Sequence, residues 1–310
     1  MEKMSNNPLM CDIESGMCEL PAGKGAESNT EKETGGSKLK VVYFTDPICS
    51  TCWGIEPQLR KLKLDYGDAL DIEYRMGGLL PDWDYSGGGI SQPSDVAHHW
   101  DEVSAHYDMP IDGDVWLEDP LHSSYPPSIA VKAAQLQDEE KSIAFLRRIR
   151  EMVFLEKKNI TKWEHLLSAA SAVGLDVAQF EKDYNGKAFR NFQEDLELAH
   201  QYGVRGFPTL FFLDDEGQQH KVYGIKPYKV YESVVTTLLP KVKKASYPVE
   251  WSSMFERFPT MATREFAELT GQTREAGEAL LEELAAGGRL KKLLTKNGVL
   301  WINPLHLQGQ

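Results

Sequence analysis

The sequence predicts an α/β protein: a small sheet with helices on both faces, interrupted by a helical insertion and followed by a compact C-terminal helical module. Three observations predict it. Residues 40–76 read as strand, helix, strand; residues 209–244 read as hairpin, then helix; the stretch between, about 91–202, carries helical spacing.

Residues 1–39 precede this pattern. A short segment holds Cys11 and Cys18, and then AGKGAESNTEKETGGSK, rich in Gly, Ser, Glu and Lys and without apolar periodicity, reads as a disordered linker. Order begins with KVVYF (40–44), a buried-strand run ended by Asp46-Pro47. From Cys52 onward, Trp53, Ile55, Leu59, Leu62 and Leu64 suit one face of a helix to about Tyr66, bent by Pro57 and stopped by Gly67. LDIEYRM (70–76) alternates as a second strand. Together these form a βαβ unit with a C-x-x-C at the N-terminus of its helix.

Helices are expected at 94–107, 127–136, 139–154, 163–173, 177–184 and 188–202, with Thr161 capping one start and Gly174 ending that helix. Residues 209–213 and 219–223 flank an Asp-Asp-Glu-Gly turn, and a helix is expected at 229–244. The first 245 residues thus divide into the tail and a domain spanning 40–245. After it, 246–310 reads as a second module: helix, turn at Gly271, helix to Ala286, and a strand pair turning at Asn297-Gly298. That order is winged-helix-like.

Charge limits the partners. The chain of 310 residues has 34 Lys and Arg against 47 Asp and Glu, a net charge of −13, which disfavours a nucleic-acid backbone. Residues 250–310 alone hold 7 basic against 8 acidic side chains, too balanced for a phosphate-binding surface. No window approaches 18 uninterrupted apolar residues, so no membrane span is expected, and the N-terminus lacks a signal-peptide core. A reducing cytoplasm is the expected compartment. Four cysteines cannot staple a chain of this length.

Chemistry concentrates in DPICSTCWG (46–54) and GVRGFPTLFF (203–212). A dithiol works by thiolate attack on a disulfide. Cys49 at a helix N-terminus would be the nucleophile, with a lowered pKa, and Cys52, one turn in, the resolving thiol. Downstream, Pro208 opens a buried strand; a cis Phe207–Pro208 bond turns the chain and lets the backbone of Phe207 pair with a substrate strand beside the dithiol. Trp53, Phe207 and Thr209 are the expected substrate contacts. Cys11 and Cys18 are candidates for an accessory redox pair exchanging with Cys49, for a metal site, or for no role. A zinc half-site at Cys49/Cys52 needs further ligands, and the other cysteines lie across the linker, so no metal and no cofactor are expected. Asp46 could tune Cys49 or simply end its strand. His98-His99 point to two helix faces, His122 stands alone, and Asp82 and Asp84 beside Pro81 read as loop. That loop, with the Gly-rich run after it, is expected to border the groove.

Asp46, Pro47, Cys49, Cys52, Trp53, Gly54, Pro57, Gly206, Pro208 and Thr209 carry a resemblance to the DsbA family of thioredoxin-fold proteins, in a cytoplasmic branch with a long helical insertion, over about residues 40–240. DVWLEDPLHSSYPPSIAVKAAQLQ (114–137), FLEKKNITKWEHLL (154–167) and the C-terminal extension resemble YjbH/SpxH-type adaptors, which deliver a transcription factor to the ClpXP protease. The family implies a thioredoxin fold with a helical lid, a Cys49–Cys52 dithiol and a cis Pro208. Two departures stand out. The buried carboxylate many thioredoxin-fold proteins place six residues before the first Cys falls on Tyr43, and the tail lacks the His-rich cluster of those adaptors. The leading expectation is a thiol–disulfide oxidoreductase or isomerase acting on protein or small-thiol disulfides; the alternative is an adaptor holding a regulator for ClpXP. A glutathione-dependent isomerase is weaker, because Cys52 argues against it.

Overall fold

The structure, a computed structural model, describes residues 11–12, 16–19, 38–83, 92–215 and 217–305. The expected linker and the Gly-rich loop, including Asp84, lie outside them.

Leu39–Thr45 (β3) pairs in parallel with Leu70–Met76 (β4), joined by the short helix Ser50–Gly54 (α1) and by Glu56–Tyr66 (α2). Two short strands precede them, Cys11–Asp12 (β1) and Met17–Glu19 (β2). Thr209–Leu213 (β6) runs antiparallel to β3, and Gln219–Tyr223 (β7) to β6, giving the order β4-β3-β6-β7. Tyr228–Leu238 (α10) closes this unit. It is the thioredoxin fold expected from the sequence. Every position of β3 except Lys40 is buried, as the KVVYF run requires for a strand with neighbours on both edges.

Between β4 and Gly206–Phe207 (β5) stands the helical insertion. It comprises Pro93–Tyr107 (α3), Val115–Glu118 (α4), Tyr125–Gln135 (α5), Glu139–Leu155 (α6), Trp163–Ala172 (α7), Val177–Tyr184 (α8) and Lys187–Gln201 (α9). Beyond the thioredoxin unit come Trp251–Arg257 (α11), Thr260–Ala262 (β8), Thr263–Thr270 (α12), Arg274–Ala286 (α13), Lys291–Thr295 (β9) and Gly298–Ile302 (β10), with strand order β8-β10-β9. These C-terminal elements have their own core of Met254, Phe255, Met261, Phe266, Leu269, Leu281, Leu290 and Trp301, and it recruits Leu64 from α2.

Several boundaries differ from expectation for physical reasons. The CxxC helix does not bend at Pro57 but breaks before it, at Ile55, and Pro57 falls in the first turn of α2, where a missing N–H has no intrahelical partner to lose. α10 ends at Leu238 rather than 244, because Pro240 disfavours helical backbone at Leu239 and cannot donate. Lys162, not Thr161, is the N-cap of α7; the Thr161 hydroxyl instead donates to Asn159 Oδ1 at 2.6 Å. The tail is not wholly without structure: β1 pairs with β2, and β2 with β5. α4, β5, α11 and β8 were not expected; all are short, with too few residues to show a period. Among the described residues no helix is long and apolar enough to cross a membrane.

Candidate dithiol site

The site is built where β3 ends. The carboxylate of Asp46 accepts from the N–H of Ile48 at 3.0 Å and of Leu79 at 2.8 Å, so it shapes the turn into α1 and ties it to the chain beyond β4. This goes further than ending a strand. Burial pushes the Asp46 carboxyl up to about 6 despite those bonds.

Cys49 occupies the N-cap of α1, its sulfur accepting from the N–H of Cys52 at 3.3 Å. Thr51, between the cysteines, links the two halves of the site. Its hydroxyl lies 3.1 Å from Cys49 Sγ and donates to the Phe207 carbonyl at 3.1 Å. The Phe207–Pro208 bond is cis, and Thr209 Oγ1 donates to the Gly206 carbonyl at 2.7 Å. The chain thus brings Cys49, Cys52, Phe207, Pro208 and Thr209 together across 156 residues of sequence separation.

Neither Cys49 nor Cys52 is in a disulfide, and both residues are 0% exposed. Burial pushes the Cys49 thiol up, opposite to the lowering expected from a helix N-terminus. Cys52 is held down: burial opposes its ionisation, but the hydrogen bond with Cys49, the Arg150 charge and Thr45 outweigh it. The negative charge of the pair is therefore favoured on Cys52, facing a buried cation.

That cation is a residue sequence reasoning missed. Arg150, on α6, is fully buried; it donates through Nη1 to Glu56 at 2.8 Å and through Nη2 to the Thr45 hydroxyl at 2.6 Å and the Asp46 carbonyl at 3.2 Å. The Thr45 hydroxyl in turn donates to the Tyr43 oxygen at 3.0 Å. The position where a carboxylate was looked for, Tyr43, is thus part of a network organised by an arginine. The available signal was Arg150 one residue after Ile149 and two before Met152 in FLRRIREMVF, among the apolar positions of that helix.

The two aromatic residues expected to line a groove are core residues. Trp53 donates to the Pro110 carbonyl at 3.0 Å, stacks on Phe154 with ring centroids 5.6 Å apart, and carries the Arg147 guanidinium 4.2 Å above its ring. The Phe207 ring sits on Gly77 so closely that a Cβ there would lie 1.8 Å from Phe207 Cζ. Only the backbone of Phe207 is presented at the site's edge, and β2 pairs with it: Cys18 stands opposite Phe207 and Glu19 opposite Gly206. Cys11 stands opposite Cys18.

The other polar candidates are scattered. His98 is 81% exposed and His99 5% exposed, on two faces of α3, both near Glu102. His122 Nδ1 lies 3.2 Å from the Thr161 hydroxyl. Among the described residues no three His, Cys, Asp or Glu side chains are grouped to hold a metal.

The C-terminal elements reach the same region. Arg264 Nη1 donates to the Gly54 carbonyl at 3.4 Å and also to the Tyr107 carbonyl. Glu265 accepts from Arg147 Nη1 at 2.9 Å and Nη2 at 3.0 Å, and lies 3.3 Å from Arg60 Nε. A cavity of about 480 Å³ opens at this junction, lined by Arg60, Arg147, Arg257, Phe258 and Glu151 among others.

Comparison with known proteins agrees with this geometry. A family profile described as Thioredoxin matches residues 43–233. A putative protein disulfide isomerase from Nitrosomonas europaea aligns with a TM-score of 0.58 at 21% identity, covering 66% of this chain and 99% of that one. The cytosolic disulfide reductase DsbM from Pseudomonas aeruginosa aligns with a TM-score of 0.54 at 23% identity, over 66% of this chain and 100% of its own. At such identities the likeness is one of fold. A protein from Halalkalibacterium halodurans named ClpXP adapter protein SpxH is 33% identical over 301 residues, 95% of this chain and 97% of its own. The protein of the same name from Bacillus subtilis is 32% identical over 85% of this chain and 88% of its own. With its thioredoxin domain and relatives of this length, the chain belongs to the SpxH family of thioredoxin-fold proteins.

Proposed function

We propose that this protein is an adapter that holds a regulatory protein for degradation by ClpXP. The observation that carries the reading is where the likeness extends. Disulfide enzymes of the same fold match 66% of the chain, whereas relatives named as ClpXP adapters from Halalkalibacterium halodurans and Bacillus subtilis match 95% and 85% of it, though others of that name match 65%. The added length is the part an enzyme of this fold does without. Residues 246–310, which we take as a separate module, are bolted to the CxxC-bearing domain by buried charges. A cytoplasmic location accompanies this role. The test is genetic and direct: deleting the gene should prolong the half-life of a regulator that ClpXP degrades, with no further effect in a strain lacking ClpX. Unchanged half-lives across the ClpXP substrates would remove the reading.

A second reading, a thiol–disulfide oxidoreductase with Cys49 as nucleophile, Cys52 as resolving thiol and a site edge formed by Phe207, Pro208 and Thr209, is favoured by one observation. Neither cysteine is in a disulfide, and Cys49 is joined through Thr51 to the Phe207 backbone. Under it, the protein reduces insulin disulfides and Cys49→Ser abolishes the reaction; equal rates with and without Cys49 would dismiss it.

A further inference from the structure

The strand edge beside Pro208 already has an occupant. β2 pairs antiparallel with β5 through Cys18 opposite Phe207 and Glu19 opposite Gly206, the mode by which an extended peptide adds to a sheet edge. The same strand lies against α1, the helix of the dithiol. Its turn is anchored separately: the Ile225 N–H donates to the Gly16 carbonyl at 2.9 Å. Gly16 has φ +73°, and a Cβ there would come within 2.7 Å of Ile225 N, so the turn is fitted to a glycine.

Two cysteines occupy this strand pair in register. Cys11 and Cys18 are direct antiparallel partners. Such partners have Cα atoms roughly 4.5–5.5 Å apart, inside the span a disulfide bridges. Cys18 is also the residue opposite Phe207, whose carbonyl accepts from Thr51, whose hydroxyl lies 3.1 Å from Cys49 Sγ. The strand pair that carries both cysteines thereby takes the edge to which an extended substrate would add.

We infer that the Cys11/Cys18 hairpin is a tethered redox partner of the Cys49–Cys52 pair, exchanging a disulfide with it within one molecule. A small-molecule disulfide oxidises the hairpin first, forming Cys11–Cys18 and leaving as two thiols. The Cys49 thiol passes its proton to the Cys52 thiolate and attacks Cys18 Sγ; the Cys49–Cys18 bond forms, and Cys11 departs as a thiolate that takes that proton over from Cys52. Cys52 as thiolate attacks Cys49 Sγ, forming Cys49–Cys52 and releasing Cys18, which is protonated in turn. Two electrons pass from the dithiol to the hairpin, and the steps run equally in reverse. The exchange needs no protease and no regulator, so it stands or falls apart from the adapter reading.

The test uses the full chain carrying Cys52→Ala, which stops the sequence at the mixed disulfide. Equal amounts of ¹⁴N- and ¹⁵N-labelled protein are treated with limiting oxidised glutathione, digested without reduction and mapped by mass spectrometry. The expected result is a Cys49–Cys18 link within single isotopic copies. Cys49 linked to glutathione, to Cys11 or to the other isotope, or left unlinked while Cys11–Cys18 is oxidised, overturns the inference. A second measurement uses Cys18→Ser in the otherwise native chain. With Cys11–Cys18 already formed in the native chain, a tether supplying an effective concentration of about 1 mM makes its Cys49–Cys52 pair oxidise roughly tenfold faster than that of the variant at about 0.1 mM oxidised glutathione. An equal or faster rate in Cys18→Ser contradicts it.

Discussion

Two attachments meet the same thioredoxin domain, and they are held by different physics. At the N-terminus, β2 adds to the edge at β5 through backbone pairing of two residues and one turn bond at Gly16. At the C-terminus, α12 buries Glu265 between Arg147 and Arg60, Arg60 donates to the Thr260 carbonyl at 2.9 Å, and Leu64 enters the second core. The first is a contact that another strand can replace bond for bond. The second cannot be undone without exposing apolar area and stranding buried charges. The platform thus carries a strand held at its edge by backbone pairing alone and a module fastened by buried charge and apolar area.

Substitutions can break that contrast, first at Glu265. Glu265→Ala removes the carboxylate buried between Arg147 and Arg60, leaving Arg147 with Glu151 at 2.8 Å and Arg60 with Glu56 at 3.8 Å, and should cost about 3 kcal/mol, read as a lower denaturant midpoint; an unchanged midpoint would show the module is not fastened there. Leu64→Ala should cost about 2–5 kcal/mol, with Trp301 fluorescence reporting the loosened second core. Loss of thioredoxin-unit signal alone would mean Leu64 serves only its own helix.

Acidity separates the dithiol turn from the C-terminal clamp. Asp46 is raised by burial to about 6, so it binds more protons folded than unfolded; its contribution is present in full below about pH 4 and is lost as pH rises through 6. The shift corresponds to something on the order of 3 kcal/mol. Glu265 is opposite in sign: burial would raise it, but Arg147 and Arg60 hold it below the ordinary range, so its contribution is present above that range and lost as pH falls through its folded value. Melting curves should show Asp46→Asn flattening the decline between pH 4.5 and 7, and Glu265→Gln flattening the loss in stronger acid. The same slopes in both variants would mean other groups set them. The smallest effect on stability is expected at Gly16. Gly16→Ala places a Cβ against Ile225 at positive φ, a strain of about 1–2 kcal/mol, enough to raise the alkylation rate of Cys49 roughly tenfold. The denaturation midpoint should barely move; an unchanged alkylation rate would mean that the hairpin is not what shields the thiol.

The same contrast shows what was legible in the residues. LDIEYRM and the hairpin at 209–223 announce themselves by period, and C-x-x-C with a distant X-Pro-Thr picks out residues that the fold brings together. Thr51, Arg150 and Arg264 did not, because each acts on a partner far along the chain: Phe207 is 156 residues from Thr51, Thr45 is 105 from Arg150, and Gly54 is 210 from Arg264. The raised Cys49 thiol was missed for a related reason. A helix N-terminus is visible in sequence, whereas burial comes from everything that folds over it. The β2 strand is three residues long, too short for any alternation to show.

The central claim is that the platform, not the dithiol's chemistry, serves the protease. Its most direct measurement is the degradation rate of the stabilised regulator in a reaction with purified ClpX and ClpP, supplied with the native chain or with Cys49→Ser/Cys52→Ser. The account predicts acceleration by both proteins to the same extent. Acceleration by the native chain alone would contradict it and return the dithiol to the centre of the function.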